Sequence, residues 1–195
     1  MTNIKKLIQS PLFIYSLFAF VLFCWPFYTS PITDGDVDNW VPETYALSQE
    51  WNFLTAQNDQ AHGPLLIWTG AISMAIFGYN LFAINFFNMI CGVLGVFLLY
   101  FFSFQLWKDK RVSHLSCVIF LTSLAPVYFS KTPMYDWPAT IFLFGFFVFY
   151  SLSILKNRID YYFLSYIFLA VASLSRFSIC LGLAGIFVVG CHFIF

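Results

Sequence analysis

The chain has 195 residues, of which 61% are hydrophobic, 23% aromatic and only 9% charged. So few charges cannot solvate the surface of a soluble domain of this size, so the composition excludes that class and indicates a membrane protein. Nine basic and nine acidic residues give a formal net charge of zero, which implies no general attraction to nucleic acid. The five cysteines lie within apolar runs and lack metal-ligand spacing.

The first predicted membrane span covers residues 10–29. Lys5 and Lys6 precede it, so we expect the N-terminus in the cytoplasm, and Trp25 and Tyr28 suit the outer aromatic belt. The apolar stretch is long for a signal peptide and no small-residue cleavage site follows it, which favours a retained helix.

The long polar segment 30–63 is predicted to lie outside. It holds six of the nine acids and no lysine or arginine, and positive charge is retained on the cytoplasmic side. We assign residues 30–80 to an outer loop that also contains juxtamembrane helices. The acids of this loop are Asp34, Asp36, Asp38, Glu43, Glu50 and Asp59.

The apolar stretch 64–78 is short for a span. The next stretch, 81–107, has no charged residue and ends at the densest basic cluster, residues 108–111. That cluster would face outside if 64–78 crossed the bilayer, and it faces the cytoplasm if 64–78 stays on the outer surface. We therefore predict that 64–78 lies along or dips into the outer surface.

Further spans are predicted beyond the outer loop, within residues 81–195. This topology places seven of the nine basic residues inside and seven of the nine acids outside. The fold class is all-α, a polytopic integral membrane bundle of about six transmembrane helices in one domain, residues 1–195. The last span has no closing basic residue, so we expect a truncated fragment of a longer protein. The predicted further spans are 81–107, 113–130, 139–155, 161–174 and 177–195.

Three predicted outer segments carry side chains suited to chemistry on a polar substrate. Carboxylates from two loops can share a divalent cation such as Mg²⁺ or Mn²⁺, or one can act as a general base toward an acceptor hydroxyl or amine. An arginine at the membrane surface suits the phosphate of a lipid carrier. Plainer interpretations are solvated turns for the acids and an arginine extended to the headgroups. The residues concerned are Asp34, Asp36, Asp38, Glu43, His62, Asp136 and Arg176.

The order of these features resembles the membrane-embedded glycosyltransferases of the C-type fold, in particular the dolichyl-phosphate-mannose protein mannosyltransferases and the bacterial lipid A aminoarabinose transferases. These families have an acidic outer loop, a proline-led juxtamembrane helix ending in Phe-Gly, and a long span ending in Leu-Trp and basic residues. A second outer aspartate and a turn with a cation follow. The matching segments here are 34–36, 62–66, 76–78, 106–111, Asp136 and 175–177.

The resemblance implies transfer of a sugar from a polyprenyl-phosphate donor to a lipid, glycan or protein acceptor at the outer face. It implies that Asp34 or Asp36 deprotonates the acceptor. Asp136 holds the acceptor or, together with Asp36, a divalent cation. Arg176 stands where the family has a lysine, and it steadies the leaving lipid phosphate.

His62 and Glu43 join this implied substrate site. The implied location is a bacterial cytoplasmic membrane, with the active face outward and membrane lipids around the chain. Two other classes stay open: a transport or carrier-binding protein without chemistry, and an inactive fragment. Charges near mid-membrane would favour transport, whereas the charges here gather at the predicted outer face.

Overall fold

A computed structural model describes residues 11–24, 35–51 and 63–194, and it gives the backbone alone for residues 24, 35–40, 178 and 192–194. The secondary structure within these ranges is helical, as the sequence predicts. The described part contains nine helices: α1 (Pro11–Cys24), α2 (Gly35–Glu50), α3 (Leu65–Phe77), α4 (Leu81–Trp107), α5 (Lys110–Thr122), α6 (Leu124–Phe129), α7 (Asp136–Lys156), α8 (Ile159–Ser173) and α9 (Phe177–Ile194).

Two of the predicted spans have the length and composition of a membrane-crossing helix. Among the described residues these are α4, with 27 residues, and α7, with 21. The apolar parts of α1, α3, α8 and α9 are shorter. The topology of six spans therefore stays a prediction.

The sequence sets the bounds of α4 through its caps. The side chain of Asn80 accepts a hydrogen bond from the backbone N–H of Ala83, at 2.9 Å, which caps the first turn. Gly78, with a φ of 75°, separates α3 from this cap. At the other end Lys108 adopts the left-handed conformation and donates its N–H to the carbonyl of Phe104.

The predicted span 113–130 is not one continuous helix, because the helix is interrupted at Ser123. Ser123 is extended, with a ψ of 140°, and separates α5 from α6. The cause lies three residues later: Pro126 has no N–H to give to the carbonyl of Thr122. After the break Pro126 falls in the first turn of α6, where no such bond is required.

Helix α4 packs against α1, α3, α5 and α7, and α7 packs in turn against α8 and α9. One apolar cluster joins α1 to α4 and α5, and it contains Ala19, Phe23, Met89, Val96, Cys117 and Leu121. Another joins α7 to α8 and α9 around Phe146, Tyr150, Ala172, Cys180 and Ala184. The short helices α2 and α3 form a layer over the start of α4.

The bundle has two chemically different ends. At one end the ammonium groups of Lys108 and Lys156 both donate to Oε1 of Gln105, at 2.8 and 2.5 Å. The two predicted inside segments, 108–111 and 156–158, are therefore neighbours, and we call this the basic end. The loop 130–135 and the turn 174–176 lie at the opposite end of α7 and α8, which we call the Arg176 end.

Candidate functional site

The Arg176 end holds an ion pair between Asp136 and Arg176, which are 40 residues apart. Nε of Arg176 lies 2.6 Å from Oδ1 of Asp136, and Nη2 donates a hydrogen bond of 3.3 Å to Oδ2. The Nε contact is electrostatic, since its direction is too poor for a hydrogen bond. The side chain of Arg176 is 22% exposed and that of Asp136 is 58% exposed. The resemblance implies one substrate site that includes both residues, and their contact agrees with that expectation, while their roles stay predictions.

The start of α3 is joined to the turn that carries Arg176. The N–H of Gly63 donates to the carbonyl of Ser175, at 2.8 Å, and the N–H of Leu65 donates to the carbonyl of Leu174, at 3.1 Å. A Cβ at position 63 would lie 1.9 Å from the oxygen of Leu174, so only glycine permits this approach.

Three helices therefore begin around this ion pair. Asp136 is the first residue of α7, Arg176 directly precedes α9, and α3 begins at the same turn. The start of a helix carries a partial positive charge of roughly half an elementary charge. The C-terminal end of α8, at Ser173, lies at the same turn and opposes this charge.

Asn88, in α4, fixes the loop that leads to Asp136. Its side-chain Nδ2 donates to the backbone carbonyls of Thr132 and Met134, at 2.5 and 3.2 Å. Its backbone carbonyl accepts a hydrogen bond from Nε1 of Trp137, at 3.1 Å. Asn88 is fully buried. Asn88 is not among the sequence-predicted site residues, although an asparagine within an apolar span is a signal of a specific partner.

The residues on either side of Asp136 are anchored while its carboxylate stays accessible. The Trp137 ring stacks with Phe120 and Phe129, at centroid distances of 6.3 and 6.0 Å. Tyr135 is buried in the apolar cluster that joins α2 and α3 to the start of α4. Rigid neighbours on both sides hold the carboxylate in one place, as a binding site requires.

Several sequence-predicted site residues fall outside this geometry. Asp34 and His62 lie outside the described residues, and Asp36 lies in the first turn of α2 without a described side chain. Glu43 is exposed on α2. Val41 and Leu47 of that helix pack in the cluster that contains Tyr135. The predicted approach of Asp34 or Asp36 to Asp136 therefore stays a prediction.

The predicted divalent cation also stays a prediction. Within the described ranges, histidine, cysteine, aspartate and glutamate form no group of three that suits a metal. Asp136 faces the guanidinium of Arg176, so a dication there would meet a positive charge at close range. The second predicted ligand, Asp36, has no described side chain.

Among the described residues, Lys131 is the other cation at the Arg176 end. Burial lowers the pKa of Lys131, because the charged ammonium loses solvation there. A guanidinium stays protonated under all ordinary conditions. The planar guanidinium of Arg176 also matches the geometry of a phosphate, whereas the Lys131 ammonium is a point charge.

The fold and the ion pair define a class: an apolar helical bundle with a polar site built from helix starts at one end. A family model described as dolichyl-phosphate-mannose-protein mannosyltransferase matches residues 61–194, more than half of the chain. The chain belongs to this family of membrane glycosyltransferases, which use sugar donors carried on polyprenyl phosphate. The matched region includes both Asp136 and Arg176.

Two curated relatives match a shorter segment. Both are undecaprenyl phosphate-alpha-4-amino-4-deoxy-L-arabinose arabinosyl transferases. The protein from Enterobacter sp. (strain 638) is 40% identical over 57 residues, and that from Wigglesworthia glossinidia brevipalpis is 37% identical over 57 residues. Each match covers 29% of this chain and 10% of the relative's length. No solved structure matches the chain.

Proposed function

We propose that this chain transfers a sugar from a polyprenyl-phosphate carrier to an acceptor on the outer face of a bacterial cytoplasmic membrane. The observation that supports this most is the Asp136–Arg176 pair at the joint start of α3, α7 and α9. A lipid phosphate has to meet a cation at the edge of the bilayer while its tail stays among the helices. An arginine beside the apolar helices α8 and α9 satisfies both demands.

In this proposal Arg176 binds the phosphate and Asp136 orients the guanidinium. Asp136 occupies the edge formed by Nε and Nη2. Nη1 makes no hydrogen bond to any described residue, so its two N–H groups are available to phosphate oxygens. The first N–H groups of α9 follow Arg176 directly and add to the attraction for an anion.

The transfer step uses an acid of the first outer loop. The acceptor oxygen or nitrogen attacks the anomeric carbon, and its proton passes to the carboxylate of Asp34 or Asp36. The bond between that carbon and the phosphate oxygen breaks, and the electron pair leaves with the polyprenyl phosphate, which Arg176 stabilises. We also assign substrate-binding roles to His62, which precedes Gly63 in the sequence, and to Glu43.

The phosphate role can be tested with a short carrier analogue. Isothermal titration of the purified full chain in detergent micelles measures binding of farnesyl phosphate and of farnesol, which lacks the phosphate. We expect Arg176→Ala to weaken farnesyl phosphate binding by about tenfold or more and to leave farnesol binding unchanged. The matched control is Arg158→Ala, which removes an arginine paired with Asp160 at the basic end. Equal binding of the two ligands by the unaltered chain would rule out the phosphate role.

The same geometry also supports a second candidate, carrier binding without transfer. Asp34→Asn together with Asp36→Asn separates the two, because these acids serve only the transfer step. Transfer of a radiolabelled sugar from a polyprenyl-phosphate donor to membrane acceptors would be lost, while farnesyl phosphate binding would persist. A chain that binds the carrier but never transfers sugar would support the second candidate.

A further inference from the structure

The basic end carries an excess of positive charge that the fold itself does not balance. Five basic side chains lie in its two turns against two carboxylates, a net charge of +3. Both carboxylates are occupied. Asp109 accepts from the N–H of Arg111, and Asp160 pairs with Arg158. The basic residues of this end are Lys108, Lys110, Arg111, Lys156 and Arg158.

Two of these charges converge on one neutral atom. Lys108 and Lys156 donate to the same oxygen, Oε1 of Gln105, from turns 48 residues apart in the chain. Their ammonium groups are therefore no more than about 5 Å apart, well inside the screening length of about 8 Å in physiological salt. Neither has a carboxylate within 4 Å among the described residues.

The plain explanation, a lysine at each helix C-terminus, does not account for this arrangement. Lys108 caps the end of α4 and Lys156 ends α7, where a cation offsets the helix dipole. However, α5 and α8 begin within three residues of these ends, and their positive starts cancel the negative ends. The dipoles thus give no reason for two ammonium groups to share one oxygen.

We propose that Gln105, Lys108 and Lys156 bind the phosphate of an anionic phospholipid headgroup. An anion between the ammonium groups removes their repulsion, and three N–H donors on each lysine leave enough to bond it. Lys156 is half-buried beside the ring of Tyr161, 5.6 Å from its centroid. The site therefore lies where the bundle surface meets the headgroups, and Leu106 and Trp107 are exposed beside it for acyl contact. This site is independent of the proposed sugar transfer.

Binding of phosphatidylglycerol to the full chain in mixed micelles of detergent and phosphatidylcholine tests the proposal, with native mass spectrometry to count retained lipids. We expect Lys108→Gln and Lys156→Gln to weaken binding by roughly fivefold each. Lys110→Gln is the matched control: it removes the same charge from the same end, but Lys110 does not contact Gln105. Equal weakening by all three variants would overturn the site, because a diffuse charge effect would then suffice.

Gln105→Glu adds a test that does not depend on losing a lysine. The new carboxylate bonds both ammonium groups and so raises the melting temperature in phosphatidylcholine alone, while phosphatidylglycerol binding falls. Unchanged phosphatidylglycerol binding in this variant would refute the proposal. A further arm replaces the lipid with 10 mM inorganic phosphate. Stabilisation equal to that by phosphatidylglycerol would refute the headgroup as the ligand and assign the site to free phosphate.

Discussion

The two ends of this bundle each hold an arginine–aspartate pair, and the pairs differ in what makes them form. Arg158 and Asp160 are two residues apart, with side chains 60% and 65% exposed. Arg176 and Asp136 are 40 residues apart and meet only when α7 and α9 pack together. The first pair depends on one turn, whereas the second depends on the whole fold. A functional site needs the second kind, because its geometry is set by rigid elements.

The largest expected effect is a difference in thiol labelling between the two ends of the bundle, which tests which end faces the cytoplasm. In a background without cysteine, Asp109→Cys places a thiol at the basic end and Asp59→Cys places one in the acidic loop. We expect a membrane-impermeant thiol reagent added to intact cells to label position 59 and leave position 109 unlabelled. Labelling of both positions from outside would overturn the predicted topology.

The next largest effect is expected at the joint between α3 and the turn of Arg176. Gly63→Ala places a Cβ 1.9 Å from the oxygen and 2.4 Å from the carbon of Leu174. These are backbone atoms and cannot rotate away, so we expect a loss of about 3 kcal/mol in the free energy of unfolding. Denaturant titration in mixed micelles measures it.

Gly182→Ala is the matched control for that substitution. No atom lies within 4 Å of a Cβ built at position 182, and the residue lies within α9. Alanine there should be neutral or slightly stabilising. Equal losses in the free energy of unfolding at positions 63 and 182 would mean that the close approach of Gly63 to Leu174 does not hold α3 in place.

A smaller loss is expected at Asn88. Asn88→Ala leaves the carbonyls of Thr132 and Met134 without their donor, and we expect about 2 kcal/mol of destabilisation. Asn85→Ala serves as a control, because Asn85 is also buried but its Oδ1 has no hydrogen-bond partner among the described residues. If the two substitutions cost the same, the loop is not held by Asn88.

The smallest expected effect is a difference in coupling energy between the two ion pairs. Double-mutant cycles with alanine at both members measure the coupling energy of each pair. We expect about 1 kcal/mol for Arg176 with Asp136, and a few tenths of that for the exposed pair at the basic end. Asp136 is itself more than half exposed, which limits the larger value. Equal coupling energies would show that the Asp136–Arg176 pair gains nothing from its partial burial.

Helix bounds were predicted well where the residues that begin and end the helix lie at its own termini. The bounds of α4 follow from Asn80 and from Lys108, and they match the predicted span 81–107. The break at Ser123 was missed because apolar composition continues across it, although Pro126 was the visible cause. Hydropathy shows which residues avoid water, but it does not show whether those residues form one continuous helix.

The candidate site was predictable only in part. Charge and the order of the spans placed Asp136 and Arg176 at one end of the bundle. Their direct contact was not predictable, because it depends on how the helices pack. The role of Gly63 was not predictable, since a glycine reveals a close approach only when the opposing atom is known. Asn88 was overlooked because its partners are backbone carbonyls, which any sequence can supply.

The position of Trp137 has a spectroscopic consequence. Its indole is hydrogen-bonded to Asn88, stacked on two phenylalanine rings and adjacent in sequence to Asp136. An indole held so rigidly emits at short wavelength, and its emission energy shifts when a charge appears nearby. The arrival of a phosphate beside Arg176 should therefore change the intrinsic fluorescence of this protein without any attached dye.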